Sequence, residues 1–242
     1  VLDLSDGGTD RLIARRRIVA VCLDHLDEAA LSCKIAVDGL IEDGACEILY
    51  EVLNDTGSEV LEANVLAEYL RGAIESDSGD GLSPTQQRAW LDTACDTFGR
   101  LEEDVLALPF AIERSDLDPQ DDVLLNRVSL IQSRLGDFEG QRDVLERQFE
   151  LSRAHDRKLS LGTELIGLLT THLDDSEDAL RIANVLVEEL ETVPFDVVEM
   201  IEPWLADQSL YAELADFTEL VASRLTVPGQ RCTYLRKASD IH

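Results

Sequence analysis

The chain has 242 residues, enough to bury a sizeable core, and 45% of them are hydrophobic, which excludes a disordered acidic tail. The 50 acidic residues outnumber the 21 basic ones and give a formal net charge of −29. The electrostatic field of this negative charge repels phosphate backbones and anionic membrane surfaces. In addition, no apolar run reaches the ~18 residues of a membrane-spanning helix. We therefore expect neither nucleic-acid nor membrane partners.

Apolar residues recur every three or four positions along the whole chain, and this spacing predicts helices rather than strands. Turn chemistry divides the pattern: Asn54 to Gly57 predicts one turn, Gly99 another, and Gly136 a helix end. Pro109 predicts a kink within its helix. The predicted helices cover residues 10–23, 25–40, 45–53, 58–74, 84–98, 101–114, 120–135, 138–154, 157–173, 176–190, 194–204 and 209–225, with the start of a further helix after Gly229.

Helices of this length joined by short turns form hairpins, and one hairpin cannot bury its own apolar face. Stacked hairpins can bury it, so the predicted fold is all-α, an α-solenoid of antiparallel helix hairpins. We expect repeats 1 and 2 in residues 1–75, an irregular linker or insertion at 76–83, and repeats 3 to 6 with the further helix in 84–242. One continuous solenoid is the expected arrangement.

A recurring sequence pattern supports the interpretation that the chain consists of structural repeats. Residues 25–37, HLDEAALSCKIAV, return as RLEEDVLALPFAI at residues 100–112. Leu26 then aligns with Leu101 and Ala36 with Ala111, and an acidic pair follows the leucine both times. The recurring pattern predicts that both segments occupy the same place in their hairpins.

These residues resemble the tetratricopeptide (TPR) repeat, which places Gly before its second helix and small Ala residues where helices cross. The first of these Ala places maps to residues 29, 63, 104, 141, 179 and 212, with spacings of 34, 41, 37, 38 and 33. A regular TPR keeps 34 throughout, so about six longer, TPR-like repeats are expected, and a HEAT-like array stays open. The resemblance assigns structural roles to Ala29, Ala36, Ala63, Ala111, Gly136 and Ala179.

Five cysteines without a CxxC pair predict free thiols in a reducing compartment, and we expect a cytoplasmic protein. The four histidines form no HExxH or HxxxH pattern, and phosphate-loop, GxGxxG and GxSxG motifs do not occur in the sequence. The basic cluster Arg11, Arg15, Arg16 and Arg17 is an anion site or, as we expect in so acidic a chain, pairs with neighbouring carboxylates. We therefore predict no catalytic, cofactor-binding or metal-binding residues.

The resemblance implies a non-catalytic scaffold that binds a protein or peptide, and the carboxylate excess favours a basic one. That excess also fits a solubility surface or adaptation to salt. The alternative function is a regulatory or sensor domain for a fused or partner enzyme, and a helical enzyme is the third. Because the chain starts without Met and ends in a new helix, we expect a piece of a longer protein, and its preference for Arg over Lys favours a bacterial source.

Overall fold

The computed structural model describes residues 8–75 and 82–241, and within them every regular element is helical. The predicted linker at 76–83 therefore lies largely outside the described residues. Two π-helical segments, Cys22–Leu26 and Leu169–Leu173, continue the first and ninth helices. The α-helices are α1 (Gly8–Val21), α2 (Ala29–Asp43), α3 (Glu47–Val60), α4 (Ala63–Glu75), α5 (Pro84–Arg100), α6 (Asp104–Leu117), α7 (Asp122–Leu135), α8 (Phe138–Leu151), α9 (His155–Leu168), α10 (Ser176–Glu189), α11 (Phe195–Asp207), α12 (Tyr211–Arg224) and α13 (Pro228–Ile241).

Helices adjacent in sequence pack against each other, and the predicted all-α fold of consecutive antiparallel hairpins is confirmed. The chain divides between Leu135 and Gly136 into two compact units. The first unit contains α1 to α7 and the second contains α8 to α13. Within each unit a helix also packs against the next but one, as α2 does with α4 and α10 with α12, which is how stacked hairpins bury a shared core.

The core of the first unit is built from leucines and a few aromatic rings. Tyr50 stacks on Trp90 with ring centroids 4.1 Å apart, and its hydroxyl donates a hydrogen bond to the Trp90 carbonyl oxygen at 2.7 Å. Phe98 stacks on Phe110 at 5.6 Å. Removing the Tyr50 ring would cost both packing and a buried hydrogen bond, whereas removing the Trp90 ring would cost packing alone, because the acceptor is the main-chain carbonyl of Trp90.

The core of the second unit is almost entirely aliphatic. Its buried residues come from all of α8 to α12, and Trp204 packs half-buried against them. From α13, Lys237 reaches Glu202 on α11 with a 2.5 Å hydrogen bond. Tyr234 packs against the same core, so α13 is joined to this unit by apolar and ionic contacts.

The turns before the even-numbered helices share an unusual backbone. The residue at the turn is left-handed in five of these six turns among the described residues, and in four of the five it is not glycine. The left-handed residues are Asp27, Glu102, Gly136, Asp174 and Ser209, whereas Leu61 occupies the same place before α4 with an extended backbone. A left-handed residue at this point lets the chain reverse direction within a few residues.

Counting from these turn residues gives the structural repeat. The fifth, ninth and thirteenth residues after each turn are buried in all six even-numbered helices. The spacings between turn residues are 34, 41, 34, 38 and 35. The ninth-position residues are Ala36, Leu70, Ala111, Leu145, Ala183 and Thr218.

The six positions assigned from the sequence occupy four different places in this register. Ala36 and Ala111 share the ninth place and are buried at 0% and 3% exposure. Ala29 and Ala63 are second after their turns and half-buried, while Ala179 is fifth and fully buried. Gly136 is an exposed turn residue with φ of 72°. The sequence aligned Ala179 with Ala29, whereas counting from the turns places Ala179 fifth and gives Ala183 the ninth place of Ala36.

Two predicted turns lie inside helices. Asn54 to Gly57 belongs to α3, because the buried Asn54 side chain accepts a hydrogen bond from Thr97 at 2.7 Å and Gly57 lies directly under Leu66. α5 likewise continues past Gly99 to Arg100. Tertiary packing has overridden turn propensity at both places.

Glu102→Gly should raise the free energy of unfolding by up to about 1 kcal/mol, because glycine accepts positive φ without the steric cost that glutamate carries. Glu102 has a φ of 59° and its side chain is exposed, so little contact is lost. Urea denaturation measures the change. Gly136→Ala is the opposing control and should destabilise by about 1 kcal/mol; a loss of stability in Glu102→Gly would contradict the assignment of strain to this turn.

Candidate peptide-binding cleft

A cleft of about 610 Å³ lies in the second unit, where α10 faces the end of α11 and the start of α12. It is within the size range of small-ligand sites and is open along one side of α10. Its walls are formed mainly by α10, which contributes residues spaced three and four apart. The lining residues are Ser176, Glu177, Leu180, Arg181, Asn184, Val185, Glu188, Leu205, Leu210 and Glu213.

The floor of the cleft exists because α10 is apolar over more than half of its circumference. Ile182 and Leu186 point into the core at 0% exposure, whereas Leu180 and Val185 lie beside the core and are only partly covered. Leu210, in the turn before α12, closes the apolar floor from the other side. Such a surface binds apolar side chains that a partner presents.

The rim of the cleft is acidic. Glu177, Glu188 and Glu213 line it, and none of the three forms an ion pair with a described residue. Arg181, the basic residue of the lining, is held on the protein by Asp178 at 2.8 Å and by Glu146. The hydrogen bond to Asp178 raises the pKa of Arg181, so its charge stays committed to that pair. Three free carboxylates therefore define the local potential.

Asn184 is the polar group in the wall of the cleft. Its side-chain oxygen is shielded from solvent and accepts no hydrogen bond from any described residue. A shielded carbonyl oxygen without a donor costs free energy. The tenth place after the turn, which Asn184 occupies, is held by the buried Val37 in α2, so the repeat accepts an apolar residue there.

Asn184→Val should raise the free energy of unfolding by about 1 kcal/mol, because the unsatisfied oxygen is removed and valine has nearly the same volume. Thermal and urea denaturation measure the change. Asn64→Val, on the exposed face of α4, is the matched control and should leave stability within about 0.5 kcal/mol. A destabilised Asn184→Val would show that the side chain is satisfied by a group in its surroundings.

The predicted pairing of the basic cluster is found for two of its four members. Arg15 is buried on α1 and its Nε lies 2.6 Å from Asp43, which Arg11 also contacts at 3.1 Å. Arg16 and Arg17 are exposed and form no ion pair with any described residue. The cluster is thus divided between a buried pair and two free cations.

Three of the five free cysteines lie in the interior. Cys22, Cys33 and Cys95 are buried, and burial raises the pKa of the Cys95 thiol to about 11. In the part of the chain that the structure covers, no group of three or more His, Cys, Asp or Glu side chains is placed to hold a metal ion. None of its helices is long and apolar enough to cross a bilayer.

No protein-family model and no curated protein matches the chain. The resemblance to TPR repeats therefore stays a prediction, and the geometry of the cleft carries the functional argument. Sequence reasoning missed this cleft because its lining comes from three helices and no motif links them. The available signal was the pair of partly buried apolar residues Leu180 and Val185, which lie at the two edges of the core-facing side of α10.

Proposed function

We propose that the protein is a non-catalytic, TPR-like interaction module that captures a basic amphipathic helix in the cleft along α10. The supporting observation is the combination of an apolar floor with a rim of three carboxylates that have no ionic partner among the described residues. Apolar side chains of the ligand would fill the floor, and its Arg or Lys residues would meet Glu177, Glu188 and Glu213. Helices docked in grooves commonly use this division of roles.

The overall charge supports the same partner. A net charge of −29 attracts basic segments from a distance and raises their association rate. The cleft then provides the specific binding site. A negative electrostatic potential spread evenly over the surface would attract cationic ligands without directing them to one binding site. The proposal therefore requires that the cleft carboxylates matter more than other acidic residues.

Fluorescence anisotropy with a labelled helical peptide tests this requirement. The probe carries leucines on one face and arginines on the other, and we expect saturable binding to the wild-type protein. Glu188→Lys with Glu213→Lys should weaken that binding at least about tenfold, because two charge-assisted contacts become repulsive.

Glu150→Lys with Glu219→Lys is the matched control. Both residues are exposed and lie outside the cleft in the same unit, so the change in net charge is identical. The control should keep binding within about twofold of wild type, since only the distant field is altered. Equal losses in the two double variants would mean that the field alone attracts the peptide, and the proposal would fail.

A further inference from the structure

A second groove lies in the first unit, between α1 and α3, and its charge is opposite to that of the chain. Its volume is about 420 Å³. Residues Ile13, Arg16, Arg17 and Ala20 recur at three and four positions and form one face of α1, and Ile48 on α3 completes the lining. Ile13 and Ile48 are 41% and 44% exposed, which leaves an apolar surface open between the two helices.

The two arginines of this groove are not used by the fold. α1 places Arg11 and Arg15 towards α2, where Asp43 and Glu42 neutralise them. Arg16 and Arg17 point away from those carboxylates, and neither has an ionic partner within the described residues. Glu47 and Glu51, the exposed acidic residues that flank Ile48 on α3, do not pair with them either.

Arg16 and Arg17 lie in a chain whose carboxylates outnumber its basic residues by more than two to one. An arginine in such a chain has many intramolecular partners within reach, and most of those in α5 to α7 are paired. Two adjacent arginines that remain free beside two exposed isoleucines form a surface complementary to carboxylates next to apolar side chains.

We propose that the groove between α1 and α3 binds an acidic amphipathic helix from a partner protein. The carboxylates of the ligand pair with Arg16 and Arg17, and its apolar side chains cover Ile13 and Ile48. Two arginines are too few to hold a nucleic acid, which needs many phosphate contacts. The exposed isoleucines add contact area that only an apolar face can use.

This site is independent of the cleft on α10, and the two sites select peptides of opposite charge. A labelled helical peptide with leucines on one face and glutamates on the other is the probe for the groove. Arg16→Glu with Arg17→Glu should weaken its binding at least about tenfold, and Ile48→Gln should weaken it several-fold.

Arg231→Glu with Arg236→Glu is the matched control, because both arginines are exposed on α13 and without an ionic partner in the described structure. The control alters the net charge equally and should keep binding of the acidic probe within about twofold. Circular dichroism of each variant establishes that it is folded. Loss of binding in the control, or no saturable binding to wild type, would overturn the proposal.

Two further outcomes would assign the groove differently and so overturn the proposal. Competition by a DNA duplex at physiological salt would make the groove an anion site for phosphate. Concentration-dependent association of the wild-type chain in sedimentation, abolished by Arg16→Glu with Arg17→Glu, would make a second copy of the chain the occupant. The acidic helix is supported when neither occurs and only the groove variants lose the probe.

Discussion

Asp43→Ala should lower the free energy of unfolding by about 3 kcal/mol, the largest effect that we expect of a single polar substitution in this chain. The Asp43 side chain is fully buried, and its carboxylate oxygens lie 2.6 Å from Arg15 Nε and 3.1 Å from Arg11 Nε in two ion pairs. Arg15 is itself only 7% exposed in its side chain and cannot turn to solvent without opening α1 from α2. Removal of the Asp43 carboxylate therefore leaves the buried positive charge of Arg15 without its closest buried counter-ion. Urea denaturation measures the loss.

A double variant separates the ion pair from packing. Arg15→Met with Asp43→Leu removes both charges and retains apolar volume, so it should recover most of the lost stability. Arg127→Met, which breaks the exposed pair with Asp96, is the surface control and should change stability by less than about 1 kcal/mol. If the double variant is as unstable as Asp43→Ala, the burial of an unpaired charge is not the cause.

Ala36→Trp and Ala111→Trp should each destabilise the protein by about 1–3 kcal/mol through overpacking. Both alanines are ninth after their turns, with 0% and 3% of their surface exposed, and no space for an indole ring is open there. Thermal denaturation of the two variants measures the effect, which should be similar because the register is shared.

Ala30→Trp is the control on the same helix as Ala36. Ala30 is exposed on α2, so a large ring there extends into solvent and the melting temperature should stay close to that of the wild type. Wild-type melting temperatures for Ala36→Trp and Ala111→Trp would contradict the repeat register that the turns define.

The helical class and the hairpin order could be predicted from spacing alone, whereas the turns could not. Asp27 and Glu102 align in sequence as the first acid after a leucine, and their shared role is a left-handed backbone rather than a charge in a helix. Residue type does not reveal positive φ when the residue is not glycine. Conversely, Asn54 has a high turn propensity but lies in a helix, where its buried side chain is hydrogen-bonded to Thr97. That bond joins residues 43 positions apart, so the local sequence does not reveal it.

The residues of the candidate site also could not be singled out from the sequence alone. The acidic excess favours a basic partner from composition, but it does not distinguish Glu188 and Glu213 from acidic residues elsewhere. Their importance comes from the packing of α10 against α12, which places both in the lining of one cleft. Likewise, Arg15 and Arg16 are neighbours in sequence. Only the packing of α2 on α1 determines that Arg15 forms an ion pair with a carboxylate.

The salt dependence of arginine–leucine peptide binding tests the central claim most directly. We expect the affinity of the wild-type protein to fall steadily as salt rises, because the free carboxylates of the cleft pair with the ligand. In Glu188→Lys with Glu213→Lys the slope should be clearly smaller, while Glu150→Lys with Glu219→Lys should keep the wild-type slope. Salt-independent binding by the wild type, or one slope for all three proteins, would contradict capture of a basic helix by this cleft.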